Sequence, residues 1–103
     1  MKIDLLYFEG CPSWETGKAN LETALQAEGL TWPVEMVEVV DDGDAERHKF
    51  LGSPSFQVDG EDLWPLPRQD YDMSCRLYVT PEGRRGWPTV EMFREKLQRL
   101  AGK

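Results

Sequence analysis

The chain has 103 residues, with 12 Lys+Arg against 19 Asp+Glu, a formal net charge of −7 and a pI near 4.6, so it has no basic footprint for phosphate backbones or anionic membrane surfaces. With 40% of its residues hydrophobic and 11% aromatic, it is apolar enough to fold alone, as one domain over 1–103. No apolar run approaches the ~20 residues of a spanning helix, and Leu5 to Phe8 falls short of the ~7–15 residues of a signal-peptide core, so no membrane role and a cytoplasmic location are expected.

Ile3 to Phe8 (I-D-L-L-Y-F) is a short, nearly continuous apolar run bounded by Glu9-Gly10, which predicts a strand buried on both faces at the centre of a sheet. After Gly10-Cys11-Pro12, Ser13 is a good N-cap, Glu15 suits the first turn, and Trp14, Leu21, Ala24 and Leu25 recur on one face, predicting a helix over about 13–29 that Gly29 stops. Val34 to Val40 is β-branched and partly alternating, a second strand closed by the turn signal Asp41-Asp42-Gly43. Asp44 then caps a short helix through about Leu51, which Gly52-Ser53-Pro54 breaks. Ser55 to Asp59 turns Phe56 and Val58 inward as a third strand before an Asp59-Gly60 hairpin turn, and Glu61 to Trp64 fits a short return strand ended by Pro65 and Pro67. Residues 65–74 are polar and irregular, while Cys75 to Val79 suits either a strand or a packed extended segment. Last, Trp87-Pro88-Thr89 opens a helix with Val90, Phe93, Leu97 and Leu100 on one face and Gly102 as its stop. Trp-Pro occurs three times at unequal spacing, which reads as aromatic anchors before fixed turns, with a peptide-binding groove as the alternative.

The two cysteines, Cys11 and Cys75, are too few for a disulfide scaffold, and with His48 as the lone histidine there is no cluster at zinc spacing. Asp41, Asp42 and Asp44 lack calcium-loop spacing and read as a turn with a helix cap; Asp59, Glu61 and Asp62 read as decoration of a hairpin tip. No metal site and no cofactor are therefore expected, and cysteine chemistry is left as redox, nucleophilic or soft-ion capture. A strand ending in Gly-Cys-Pro and running into a helix puts the thiol at a helix N-terminus, where unpaired N–H groups favour a thiolate.

These segments, Phe8-Glu9-Gly10-Cys11-Pro12 after the first strand and Gly52-Ser53-Pro54 before the third, resemble the thioredoxin-like superfamily, including its small glutaredoxin-like members. The resemblance implies an α/β fold with a mixed four-stranded sheet flanked by helices, the first and last helices sharing a face. It also implies that Cys11 is the nucleophile and Pro54 a cis-proline that, with Ser53, presents backbone groups to substrate; Pro12 and Trp14 would line the same site. Ser74-Cys75-Arg76-Leu77-Tyr78 resembles a segment of bacterial members of the superfamily, which favours a paired role for Cys75. The chain departs from the dithiol Cys-x-x-Cys pattern, because Trp14 stands where the resolving thiol would be.

Two redox routes remain: a monothiol route through a mixed disulfide with glutathione or a protein, or resolution by Cys75, which needs Cα atoms within about 7 Å. Glu9 and Glu15 oppose a thiolate at Cys11, and Arg76 is the candidate cation to offset them and to anchor a glutathione carboxylate. The expected function is thiol–disulfide exchange with protein or glutathione partners. The alternatives are a non-catalytic binding adaptor in which Trp14 blocks the redox site, and capture of mercury or copper by the two thiolates.

Overall fold

The N-terminal apolar run forms β1 (Ile3–Tyr7) and takes an interior place in the sheet. The computed structural model describes residues 1–67 and 70–102 and orders this sheet β2-β1-β3-β4, with β2 Val34–Glu38, β3 Ser55–Val58 and β4 Glu61–Asp62. β1 runs parallel to β2, with Leu5 opposite Met36, and antiparallel to β3, with Leu5 opposite Phe56. Strand alternation then divides its side chains between two layers. Ile3 and Leu5 face one layer with Phe56 and Val58, and Leu6 faces the other with Val39, Ala45 and Phe50.

The first layer is closed by α1 (Ser13–Ala27) and α3 (Val90–Leu100), which bring Leu21, Ala24, Leu25, Phe93 and Leu97 onto the sheet. The two helices share a face, as expected, and Phe56 meets Phe93 edge-on at 4.8 Å. Glu28, at the end of α1, accepts from Arg94 Nε at 2.8 Å and Gln98 Nε2 at 3.0 Å and so ties α1 to α3. α2 (Asp42–His48) covers the opposite face through Ala45.

Several local expectations change. Ser13 is the first helical residue, and the cap position belongs to Pro12, which has no side-chain acceptor to offer. α2 is capped by Asp41, whose carboxylate accepts from Asp44 N at 2.7 Å, while Asp44 accepts from Val40 N at 3.2 Å. Asp44 thus serves inside the first turn, and α2 ends at His48, where Lys49 turns left-handed at φ 53° well before Leu51. β2 stops at Glu38 and leaves Val40 exposed. Asp59 and Gly60, at φ 54° and 81°, make the anticipated two-residue hairpin turn.

A second, two-stranded sheet was not foreseen: β5 (Tyr78–Thr80) pairs with β6 (Gly83–Arg85). Its sequence signal is Pro81-Glu82-Gly83, with Gly83 at φ 99° and the Thr80 hydroxyl donating to Gly83 O at 2.6 Å. Trp64 is an anchor, edge-on to Tyr78 at 5.6 Å and Phe93 at 5.3 Å, and it joins this hairpin to the main core.

Phe56→Ala removes a fully buried ring at the centre of the first layer and is predicted to cost about 3–5 kcal/mol. Val79→Ser, at a position 78% exposed, is predicted to stay within about 0.5 kcal/mol of the parent. Urea denaturation of both variants checks the pair of values.

Candidate functional site

Past β1 the chain turns sharply, with Cys11 N donating to Phe8 O at 3.2 Å, and enters α1 through Pro12. A Cβ on Gly10 would lie 3.1 Å from the Phe8 ring, so the turn has room for little else. Cys11 therefore sits just ahead of the α1 N-terminus, but only 1% of it is exposed, and its thiol donates to Ser53 O at 3.6 Å. Glu9 and Glu15 are both solvent-exposed.

Ser53 and Pro54 reach this sulfur from the opposite side, at the entrance to β3, and the Ser53–Pro54 peptide is cis. Both are buried, and the Ser53 hydroxyl accepts from Phe8 N at 3.4 Å. The main chain of Ser53 is fully engaged: its N–H donates to Ser74 O at 2.8 Å, and its carbonyl accepts from Arg76 N at 3.0 Å. Residues 74–76 thus lie beside Ser53 as a parallel bridge. Gly52 permits this approach, since it adopts φ +114° and a Cβ there would lie 2.9 Å from Arg76 Cβ.

This bridge sets Cys75 beside the residue whose carbonyl accepts from the Cys11 thiol. Hydrogen bonding toward Cys11, followed by burial and by like-charge repulsion from Cys11, pushes the Cys75 thiol up to about 11. The accessible member of the pair is Cys75, which is exposed. Both cysteines are free thiols.

Arg76 does not face Cys11. Neighbours along an extended segment point to opposite sides, so while Cys75 turns outward Arg76 turns inward. Its guanidinium, 3% exposed, pairs with Asp62 at 2.7 Å, donates to Ser55 Oγ at 3.2 Å and to Trp64 O, and lies 4.5 Å from the centre of the Tyr78 ring. The expected cation beside Cys11 and the expected glutathione anchor are both corrected by this geometry: the charge is already neutralised inside the fold. Asp62 is corrected with it, being no tip decoration but a buried carboxylate at 6% exposure. Tyr78 donates to Pro54 O at 2.5 Å, and burial holds its phenol protonated well above the ordinary range.

The remaining candidates disperse. Trp14 is half-buried, with its ring 4.7 Å from that of Tyr7, and Pro12 is exposed. Gly17 on α1 faces Pro54 and Phe56, where a Cβ would meet them at 3.3 and 3.1 Å, so α1 lies tightly over the start of β3. The residues that sequence reasoning did not place in the site, Gly52, Asp62, Ser74 and Tyr78, act through partners distant along the chain; Gly52 is signalled as a turn, Ser74 and Tyr78 only as part of the segment around Cys75, and Asp62 only as decoration of the hairpin tip. Among the described residues no group of three or more His, Cys, Asp or Glu is arranged to hold a metal ion, and no helix is long and apolar enough to cross a membrane. No family model, curated protein or solved structure matches the chain.

Asp62→Ala strands a buried guanidinium and is predicted to cost about 3–5 kcal/mol in urea denaturation. Cys11→Ala removes the largest cause of the Cys75 shift, so the Cys75 thiol is predicted to titrate nearer its ordinary value. At fixed pH between 9 and 11 the thiolate fraction then rises, and alkylation of Cys75 by iodoacetamide should be faster in the variant than in the parent.

Proposed function

We propose that the protein carries out thiol–disulfide exchange, with Cys11 and Cys75 cycling between dithiol and disulfide on a thioredoxin-like fold. The observation that carries this reading is the convergence of both cysteines on Ser53, whose carbonyl accepts from the buried Cys11 thiol at 3.6 Å and whose main chain is bridged to the exposed Cys75. The fold part of the reading draws on the sheet order β2-β1-β3-β4, on α1 and α3 sharing one face with α2 on the other, and on Cys11 at the β1–α1 junction; all three are compatible with a thioredoxin-like layout.

The unequal exposure divides the work. An incoming disulfide meets Cys75 first; the Cys75 thiolate attacks one sulfur, the partner's other sulfur leaves as a thiolate, and a mixed disulfide forms on Cys75. Cys11 then acts as nucleophile on the Cys75 sulfur, expels the second partner thiolate and closes the internal disulfide. Two thiol protons and two electrons leave the protein, and the partner gains two thiols. Because the Cys75 thiol is raised to about 11, its thiolate is scarce at neutral pH, and the first attack quickens as the pH rises toward that value. The monothiol route at Cys11 is less favoured, because glutathione would have to reach a sulfur that is 1% exposed. Pro54 and Ser53 serve as positioning residues here: their backbone groups hold the chain's own Cys75 segment and not an external substrate.

No bound cofactor is needed for this chemistry, and a cytoplasmic location, where thiols rest reduced, suits the dithiol state. The adaptor reading loses support because Trp14 packs against Tyr7. The convergent sulfurs favour one second reading, two-coordinate capture of a soft ion such as copper(I) or mercury(II).

The test exposes the reduced protein to diamide, with and without oxidised glutathione, and reads the intact mass. The expected result is a loss of two hydrogens that vanishes in Cys75→Ser, with a glutathione adduct on Cys75 trapped in Cys11→Ser. Two thiols that stay free under conditions oxidising an exposed control cysteine would overturn the exchange reading and leave ion capture, read by the mass of the protein with mercury(II).

A further inference from the structure

Exposure alternates without a break along the segment that carries Cys75. Cys75, Leu77 and Val79 face solvent, while Arg76, Tyr78 and Thr80 are buried. In extended chain such alternate side chains form a row spaced by about 6.6–6.8 Å. The exposed thiol is thus continuous with two apolar side chains that are 62% and 78% exposed. Leu77 and Val79 also wall a groove of about 360 Å³, completed by Trp64, Leu66, Met92 and Lys96.

The charge around this groove is opposite to that of the chain. Lys96 lies 5.9 Å from the centre of the Trp64 ring, and Arg84 stands opposite Val79 on β6. Among the described residues Lys49, Arg84, Arg85 and Lys96 have no carboxylate within ion-pair distance, whereas Lys2, Lys18, Arg47, Arg76, Arg94 and Arg99 all do. In a protein of net charge −7, three of these four unpaired cations lie on β6 or beside the groove, along the apolar row that leads to the exposed thiol. Glutathione suits this surface poorly. It brings no apolar side chain, the guanidinium nearest in sequence to Cys75 is locked on Asp62, and the main chain of Ser53 is already paired.

Resting on the exchange reading above, the geometry points to a polypeptide as the partner of Cys75. It is an extended segment of net negative charge, with apolar side chains two and four residues from its own cysteine. The apolar side chains lie along Leu77 and Val79, and the field of Lys96 and Arg84 favours the segment's negative charge.

The test uses the reduced full chain and three thiols presented as mixed disulfides with 5-thio-2-nitrobenzoate: the peptide Cys-Asp-Leu-Asp-Leu, the peptide Cys-Ser-Ser-Ser-Ser, and glutathione. Cys75 attacks the peptide sulfur's disulfide, the coloured aryl thiolate leaves, and Cys11 then releases the peptide thiol as the internal disulfide forms. Aryl thiolate release from the apolar acidic peptide is expected to be about tenfold faster than from the other two. The double variant Leu77→Ser, Val79→Ser should remove that advantage while leaving the glutathione rate unchanged. Lys96→Glu should slow the acidic peptide and speed its lysine analogue. Equal rates for the three thiols, or a ratio unmoved by the double variant, would overturn the polypeptide assignment and leave the exchange reading standing. If no thiolate is released from any of them, the exchange reading itself falls, and this assignment falls with it.

Discussion

The pairing of Ser53 with residues 74–76 is the constraint on which the rest of the site depends. It sets Cys75 beside the residue that receives the Cys11 thiol, uses up the main chain beside Pro54, and turns Arg76 inward. Two main-chain hydrogen bonds, each worth about 1 kcal/mol net, are too weak to hold such a strap alone. The anchoring comes from beyond the sulfurs. Tyr78 and Trp64 stack edge-on, Trp64 does the same with Phe93 in the core, and Tyr78 bonds to Pro54 O. Arg76 adds direction more than stability, since a buried ion pair roughly offsets its own desolvation, yet its four partners allow the strap a single register.

The parts of the fold that were legible in the sequence are those whose partners impose a period. β1 reads as central because Ile3, Leu5 and Leu6 are apolar on both faces, and α3 reads clearly because Phe93 and Leu97 repeat on one face above a Thr89 cap. The caps of α1 and α2 were less legible: Asp41, Asp42 and Asp44 each satisfy the rule at α2 and only the turn geometry selects Asp41, while α1 begins at Ser13 itself, one residue earlier than a Ser13 cap implies. The hairpin β5–β6 is too short to show a period, and its strands owe their position to Tyr78 and Trp64.

The site was half legible, for a related reason. A cysteine at a strand–helix junction and a proline opening a later strand are local features, and both fall where their neighbours in sequence put them. The partnership of Cys11 with Cys75 and that of Arg76 with Asp62 are long-range, and adjacency in sequence pointed the wrong way for the second. Arg76 follows Cys75 directly, which suggests that it reaches Cys11 along with it; in extended chain that adjacency turns it to the opposite side.

The same geometry bears on how strongly the pair would hold its electrons. Both cysteines already converge on Ser53 in the reduced chain, so on the exchange reading a disulfide would close between neighbouring segments. In the unfolded chain the same bond would close a loop from near the N-terminus to the strap, which in the chain-entropy account stabilises the folded state by about 4 kcal/mol. Folding and oxidation then favour each other, since whatever disulfide formation adds to the stability of the fold, the fold adds to the stability of the disulfide. On the exchange reading, the bolts that hold the strap would be levers on redox behaviour even though none of them touches a sulfur. Loosening Arg76 or Tyr78 would free Cys75 from its place beside Ser53 and withdraw the fold's support for the bond. Such a pair would be tuned from the interior, through Asp62 and Trp64, with its exposed face free to choose partners.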